Sequence, residues 1–162
     1  MPEGRALAQA GACLDQADMA AGDKITRGKL TLHALPFVAQ ESYDQLLWAC
    51  DLNFVRGEDS FVRAQWAGRP LVWHIYPQED EAHRRKLDAF LDRYCADLAP
   101  AAAAACRGFW QAWNHGSGVA AAWPAYWQQR VELAAHAARW AIKLAGTDDL
   151  ASKLVKFVEK LL

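Results

Sequence analysis

The chain has 162 residues, a length that one domain fills and that allows a substantial core. With 18 Lys and Arg against 19 Asp and Glu, the net charge of −1 offers no broad positive field for nucleic acid or an anionic membrane. No charged segment followed by an apolar one opens the sequence, and no apolar run approaches the roughly 20 residues of a spanning helix, so a cytoplasmic protein is expected.

Residues 2–14 are rich in Ala, Leu and other helix formers and predict a helix, with a loop through Gly22 and Gly28 after it. Residues 29–35 (KLTLHAL) alternate in polarity and predict a short strand that Pro36 ends. Residues 43–49 predict a short helix with Ser42 as its N-cap. Residues 51–55 (DLNFV) predict a second strand, broken by Gly57, and residues 61–67 resume helical spacing before a turn at Gly68, Arg69 and Pro70. Residues 71–75 (LVWHI) predict a third strand, of the continuous apolar type expected when both faces are covered. Strand, helix, strand, helix, strand is the order of a parallel sheet with right-handed crossovers.

After Pro77 the pattern is helical over 79–98, 101–113, 123–144 and 148–162, with Pro100, Gly116 and Gly118 between segments. Gly146 and Thr147 read as a C-cap and an N-cap, with Asp148 and Asp149 in the first turn of the last helix. The expected fold class is α/β, a partial Rossmann-like parallel sheet within 1–78 followed by a helical half over 79–162. Three strands are few for such a sheet. A truncated piece of a larger protein is therefore expected, and a helical sequence beginning at once after Met1 fits that expectation.

Cys13, Cys50, Cys95 and Cys106 form no CxxC pair or metal-ligand cluster and read as small buried residues. Of eight tryptophans, Trp66, Trp73, Trp110, Trp113, Trp127 and Trp140 sit in apolar company, and most are expected to be packed. The His115–Gly118 stretch lacks the preceding strand and the GK[ST] ending of a phosphate loop and reads as a helix connection. His33, His74, His83 and His136 have no partner at ligand or triad spacing and receive no role.

The chemistry concentrates in residues 55–61 (VRGEDSF), where a strand hands over to a helix, the edge at which open α/β sheets bind ligands. The amides of Asp59, Ser60 and Phe61 there suit a phosphate or pyrophosphate. Arg56 can add a charge-assisted contact and Ser60 a hydroxyl. The same spacing serves equally for a cap at Asp59 or Ser60, a turn at Gly57 and a surface charge at Arg56. Phe37, Gln40 and Tyr43 follow the first strand and could stack on and read a planar base, or form an aromatic core pair beside an exposed amide. Tyr76 ends the third strand, where its phenol could reach a phosphate or cap the sheet.

The segment LPFVAQESYDQLLWACDLNFVRGEDSFVRAQWAGRPLVWHIYPQ, residues 35–78, closely resembles the C-terminal half of the EarP family, the arginine rhamnosyltransferases that modify bacterial elongation factor P. The likeness is long and gap-free, and specific because the LLWACDLNFV lead-in, the RGEDS block and WHIYPQ occur together and in order. The helical remainder is similar to the family with less distinctive motifs.

That resemblance implies a two-domain GT-B enzyme that uses dTDP-β-L-rhamnose and no metal. In it the C-terminal domain holds the donor, and an Asp of the N-terminal domain serves as base for the acceptor guanidinium. It implies thymine-side roles for Phe37 and Gln40, pyrophosphate- and sugar-side roles for Arg56, Asp59, Ser60 and Tyr76, and a catalytic-site role for Glu58. Tyr43 stands at an aromatic base-stacking position that is phenylalanine in relatives. Relative to that pattern the N-terminal domain, the linker and the first strand of the C-terminal domain are absent. The chain alone is accordingly expected to be inactive. The metal-free expectation has a separate rationale: helix-start amides with Arg56 can neutralise a leaving diphosphate. Glu58 and Asp59, as neighbours at a helix start, diverge too much for a metal pair. Two alternatives remain: a GT-B transferase of another nucleotide sugar, and a non-catalytic remnant that binds a protein through its helical half.

Overall fold

The computed structural model describes residues 4–16 and 18–160, the Arg5 side chain apart. The expected helical residues 2, 3, 161 and 162 therefore lie outside the described residues. The chain is α/β and forms two compact units, Met1–Tyr43 and Asp44–Leu162.

In the first unit, helix α1 (Arg5–Ala12) precedes strands β1 (Lys24–Arg27) and β2 (Leu30–His33). These pair antiparallel, Lys24 opposite His33 and Arg27 opposite Leu30. Gly28, at φ 60°, supplies the positive φ that a two-residue hairpin loop needs at its first position. Leu7, Met19 and Ala34 form a small core, with Ile25 and Leu32 against it. The strand expected at 29–35 is thus not the first strand of the parallel sheet but the second arm of a hairpin. Its first arm, KITR, carries one large apolar residue in four, too few to mark a strand in the loop expected through Gly22 and Gly28. Each arm has one half-buried residue and is otherwise exposed, the habit of an antiparallel ribbon rather than of a strand buried on two faces.

Helix α2 (Gln40–Ala49) begins two residues before Ser42, so the expected N-cap sits inside the helix. In the second unit β3 (Asn53–Arg56), α3 (Glu58–Trp66) and β4 (Leu71–His74) form a β-α-β crossover whose strands pair in parallel, Asn53 with Leu71 and Arg56 with His74. The parallel sheet of the described residues therefore has two strands, not three. Leu71, Val72 and Trp73 are all buried, in keeping with a strand covered on both faces. Asn53 is buried too, and its Nδ2 donates to the Leu47 carbonyl at 3.0 Å, closing the end of α2 onto the sheet.

Helices α4 (Ala82–Tyr94), α5 (Pro100–His115), α6 (Val119–Gln128), α7 (Arg130–Ala145) and α8 (Leu150–Glu159) follow. Pro100 starts α5, where its missing N–H costs nothing. The helix expected over 123–144 is two helices, α6 and α7, which meet at Gln129 without a Gly or Pro to announce the break. Asp149, rather than Thr147, caps α8: its carboxylate accepts from the Ser152 amide at 2.8 Å, and that bond holds its pKa below the usual range. Among the described residues no helix is long and apolar enough to cross a membrane.

The core of this unit is aromatic. Phe61 stacks on Trp73 at 4.0 Å and 8°, and Phe90 meets Phe61 edge-on at 4.7 Å. Phe90 also stacks near Trp110 at 5.6 Å and Tyr94 at 5.4 Å. Trp73 and Trp110 are buried as expected, whereas Trp66 and Trp127 are about half exposed, at 52% and 43%. The cysteines divide likewise: Cys95 and Cys106 are buried, but Cys13 and Cys50 are exposed, since they end helices at the surface rather than face a core.

His136 is buried, and neither ring nitrogen has a hydrogen-bond partner among the described residues. Burial, helped by Arg139, pushes its pKa below 6.5, against the opposing Tyr94 backbone, Asp97 and Glu132. The unfolded chain therefore binds a proton here more readily than the folded one, so stability is full above about pH 6.5 and falls as the pH drops through that value toward the folded pKa. Urea midpoints measured between pH 7.5 and 5 should decline, and His136→Leu should flatten the decline. A slope unchanged by that substitution would assign the effect to other groups.

Candidate functional site

The carboxyl ends of the parallel strands and the start of α3 form the site. Gly57 is the hinge between β3 and α3, with φ 81° and ψ 170°, a region open to glycine and strained for other residues. A Cβ at Gly57 would also come within 3.3 Å of the Tyr76 ring. Gly57 is the N-cap of α3 and no side chain caps the helix, so Glu58, Asp59 and Ser60 make up its first turn. The helix expected at 61–67 begins three residues earlier than its apolar spacing implies. Asp59 and Ser60 are therefore residues of the first turn rather than caps.

Arg56 and Tyr76 come together above this turn, the guanidinium carbon 4.7 Å from the ring centroid. Arg56 makes no ion pair with any described residue, which leaves its donors for a ligand. His74 faces Arg56 in register, and burial together with the Arg56 charge lowers its pKa, so it adds no cation at neutral pH.

Asp59 turns the other way. Its carboxylate accepts from Arg63 Nε at 3.0 Å, and Arg63 Nη1 donates to both oxygens of Asp44 at 3.0 and 2.9 Å. The Asp44 bond chiefly raises the already high pKa of the Arg63 guanidinium. With its charge offset by Arg63, Asp59 offers the site its backbone N–H without much repulsion of an anion. Ser60 is half buried in the same turn.

Glu58 is exposed and lines a cavity of about 180 Å³ together with Trp73, Ile75, Tyr76, Gln78 and Lys86. Lys86, from α4, brings a second cation to this edge that sequence spacing did not single out, because nothing local links α4 to RGEDS. The Arg63 pairing was readable, since Asp59 and Arg63 are four apart on one helix.

The structure thus brings Arg56, Glu58, Asp59, Ser60 and Tyr76 to one sheet edge. Phe37, Gln40 and Tyr43 belong to the first unit: Phe37 is 82% exposed, Gln40 opens α2, and Tyr43 is half buried. Among the described residues no group of three or more His, Cys, Asp or Glu side chains could hold a metal ion. Chemically, the α3 amides, Arg56 and Ser60 can receive an anion, with a carboxylate and an ammonium beside it.

The chain is similar to known proteins. A protein-arginine rhamnosyltransferase of Pseudomonas aeruginosa is 54% identical over 157 residues, which is 97% of this chain and 42% of the relative. One from Pseudomonas putida is 49% identical over the same coverage. The chain thus spans less than half the length of these relatives. A solved structure, described as the structural basis for EarP-mediated arginine glycosylation of translation elongation factor EF-P, superposes with a TM-score of 0.86 at 46% identity. It covers 99% of this chain and 51% of the other. The family described as Elongation-Factor P (EF-P) rhamnosyltransferase EarP matches residues 1–159, and the chain belongs to that family.

Proposed function

We propose that this chain is the donor-binding half of an inverting GT-B glycosyltransferase that moves L-rhamnose from dTDP-β-L-rhamnose to an arginine of elongation factor P. The observation that carries the reading is the uncapped first turn of α3 beneath the Arg56–Tyr76 pair. A diphosphate is the ligand such a turn suits, and the protein-arginine rhamnosyltransferases similar to this chain supply the reaction class.

An arginine guanidinium is protonated in water and is a poor nucleophile, so it must be oriented and relieved of a proton as it attacks the anomeric carbon. The new C–N bond forms as the C–O bond to the diphosphate breaks, and the leaving oxygen takes the negative charge. Helix-start amides, Arg56 and the Ser60 hydroxyl stabilise that charge, and the transfer proceeds without a metal. Glu58, at the cavity beside Tyr76, orients the guanidinium. Phe37, Gln40 and Tyr43 take the thymine. The acceptor base lies in the part of the longer relatives that this chain does not span, so the 162-residue chain alone should give no transfer. Rhamnosylated elongation factor P in a mass-spectrometric assay with this chain alone would refute that assignment.

Calorimetric titration with dTDP, UDP and GDP tests the donor class: binding selective for dTDP is expected, and preference for another nucleotide would replace rhamnose as the sugar. Ser60→Ala in the full-length enzyme should weaken dTDP by about 1 kcal/mol or more, the scale of a hydrogen bond to a charged group. Unchanged affinity would remove the hydroxyl from the diphosphate site.

A further inference from the structure

We propose that Trp73 is a positioning residue for the diphosphate site, acting through the Gly57–Glu58 peptide, an inference that rests on the donor reading above. Its indole Nε1 donates to the Gly57 carbonyl at 3.0 Å. That carbonyl belongs to the N-cap of α3, and the Gly57–Glu58 peptide is trans, as is every peptide bond in the described residues. Across a trans peptide the C=O and N–H point in opposite directions. Fixing the carbonyl from the side of the indole therefore fixes the Glu58 N–H outward from the helix start, where an anion would sit.

The hold on this turn comes from three sides. The Trp73 ring stacks on Phe61 within α3, at 4.0 Å and 8°. Tyr76 lies close to Gly57, its ring 3.3 Å from where a Cβ would stand. Trp73 is itself held, because Asn114 Nδ2 donates to its carbonyl at 2.8 Å and Asn114 Oδ1 accepts from the Ile75 amide at 3.0 Å. Asn114, from α5, thereby pairs the edge of β4 as a further strand would.

Burial of an indole does not account for this bond. The N–H groups of Trp110 and Trp113 in the same core have no partner among the described residues. Trp73, 5% exposed, instead spends its donor on the backbone of the site and lines the cavity with Glu58 and Tyr76. A glycine with freedom at φ 81° is the residue most able to rotate its peptide away, so an external hold on its carbonyl is where an anion site gains preorganisation.

The test compares dTDP with thymidine by ligand-observed NMR on the full-length enzyme. Two variants remove the indole donor: Trp73→Phe, and Trp73 replaced by benzothienylalanine, which keeps the bicyclic shape and the stack on Phe61. Both should lose about tenfold in dTDP affinity while thymidine affinity stays within about twofold. Equal losses for dTDP and thymidine would show a general packing role and overturn the proposal. Unchanged dTDP affinity in the benzothienylalanine variant would do the same, even if Trp73→Phe fails to fold. Failure of the unsubstituted enzyme to bind dTDP would instead refute the donor reading itself, an outcome separate from any behaviour of the variants.

Discussion

Glu58→Gln is expected to cut rhamnosyl transfer about a hundredfold or more, the range for a positioned acid or base, while leaving dTDP affinity nearly intact. In barrier terms that is about 2.7 kcal/mol. The substitution keeps the size of the side chain, removes the charge and replaces one acceptor oxygen with an N–H donor. The Glu58 carboxylate is exposed at the cavity and forms no ion pair with a described residue, so its loss leaves no partner stranded. What it removes is the attraction for a cationic guanidinium and for the positive charge that develops as the nitrogen attacks. The first-turn amides and Arg56 remain in place for the diphosphate. Ser60→Ala should show the converse pattern, a defect in donor affinity, although the two residues are neighbours in one helical turn. Calorimetry with dTDP and a rate assay on the same two proteins separate the roles, and normal turnover in Glu58→Gln would take Glu58 off the catalytic list.

The site was more legible in the sequence than the topology around it. RGEDS announces a strand-to-helix turn by composition, and Arg56 does end β3 while Gly57 is the N-cap of α3. The long likeness over residues 35–78 then supplied the family, which matches residues 1–159. Topology was harder to read because the signals were short. KITR offers one large apolar residue in four, too little to distinguish an exposed hairpin arm from a loop. Without it, KLTLHAL was placed in the parallel sheet. The break at Gln129 carries no Gly or Pro, so the apolar period runs through it unmarked. Trp73 read as core, and it is core. Its second task, the bond to Gly57, depends on the strand register that sets Val55 opposite Trp73, a tertiary fact that no local pattern encodes.

The second large effect is expected in the core that holds the site. Trp110, on α5, is fully buried against Phe90 and Tyr94 of α4. Phe90 in turn meets Phe61, which stacks on Trp73 beneath the α3 turn. Trp110→Ala removes a large ring from a close-packed interior and should destabilise the fold by about 3–5 kcal/mol, the transfer loss plus the cavity left behind. Trp110→Phe should cost far less. Its smaller ring still fills most of the space, and the change removes a buried indole N–H that meets no acceptor among the described residues. The gap between the two variants measures packing rather than hydrogen bonding. Because Phe90 and Phe61 relax toward the cavity, the alanine variant should also weaken dTDP binding at temperatures well below its unfolding midpoint, whereas the phenylalanine variant should not. Denaturant unfolding of both variants decides the first point: equal stabilities would mean that the ring does not support the stack. Calorimetry on the folded alanine variant decides the second, since wild-type dTDP affinity there would disconnect the aromatic core from the α3 turn.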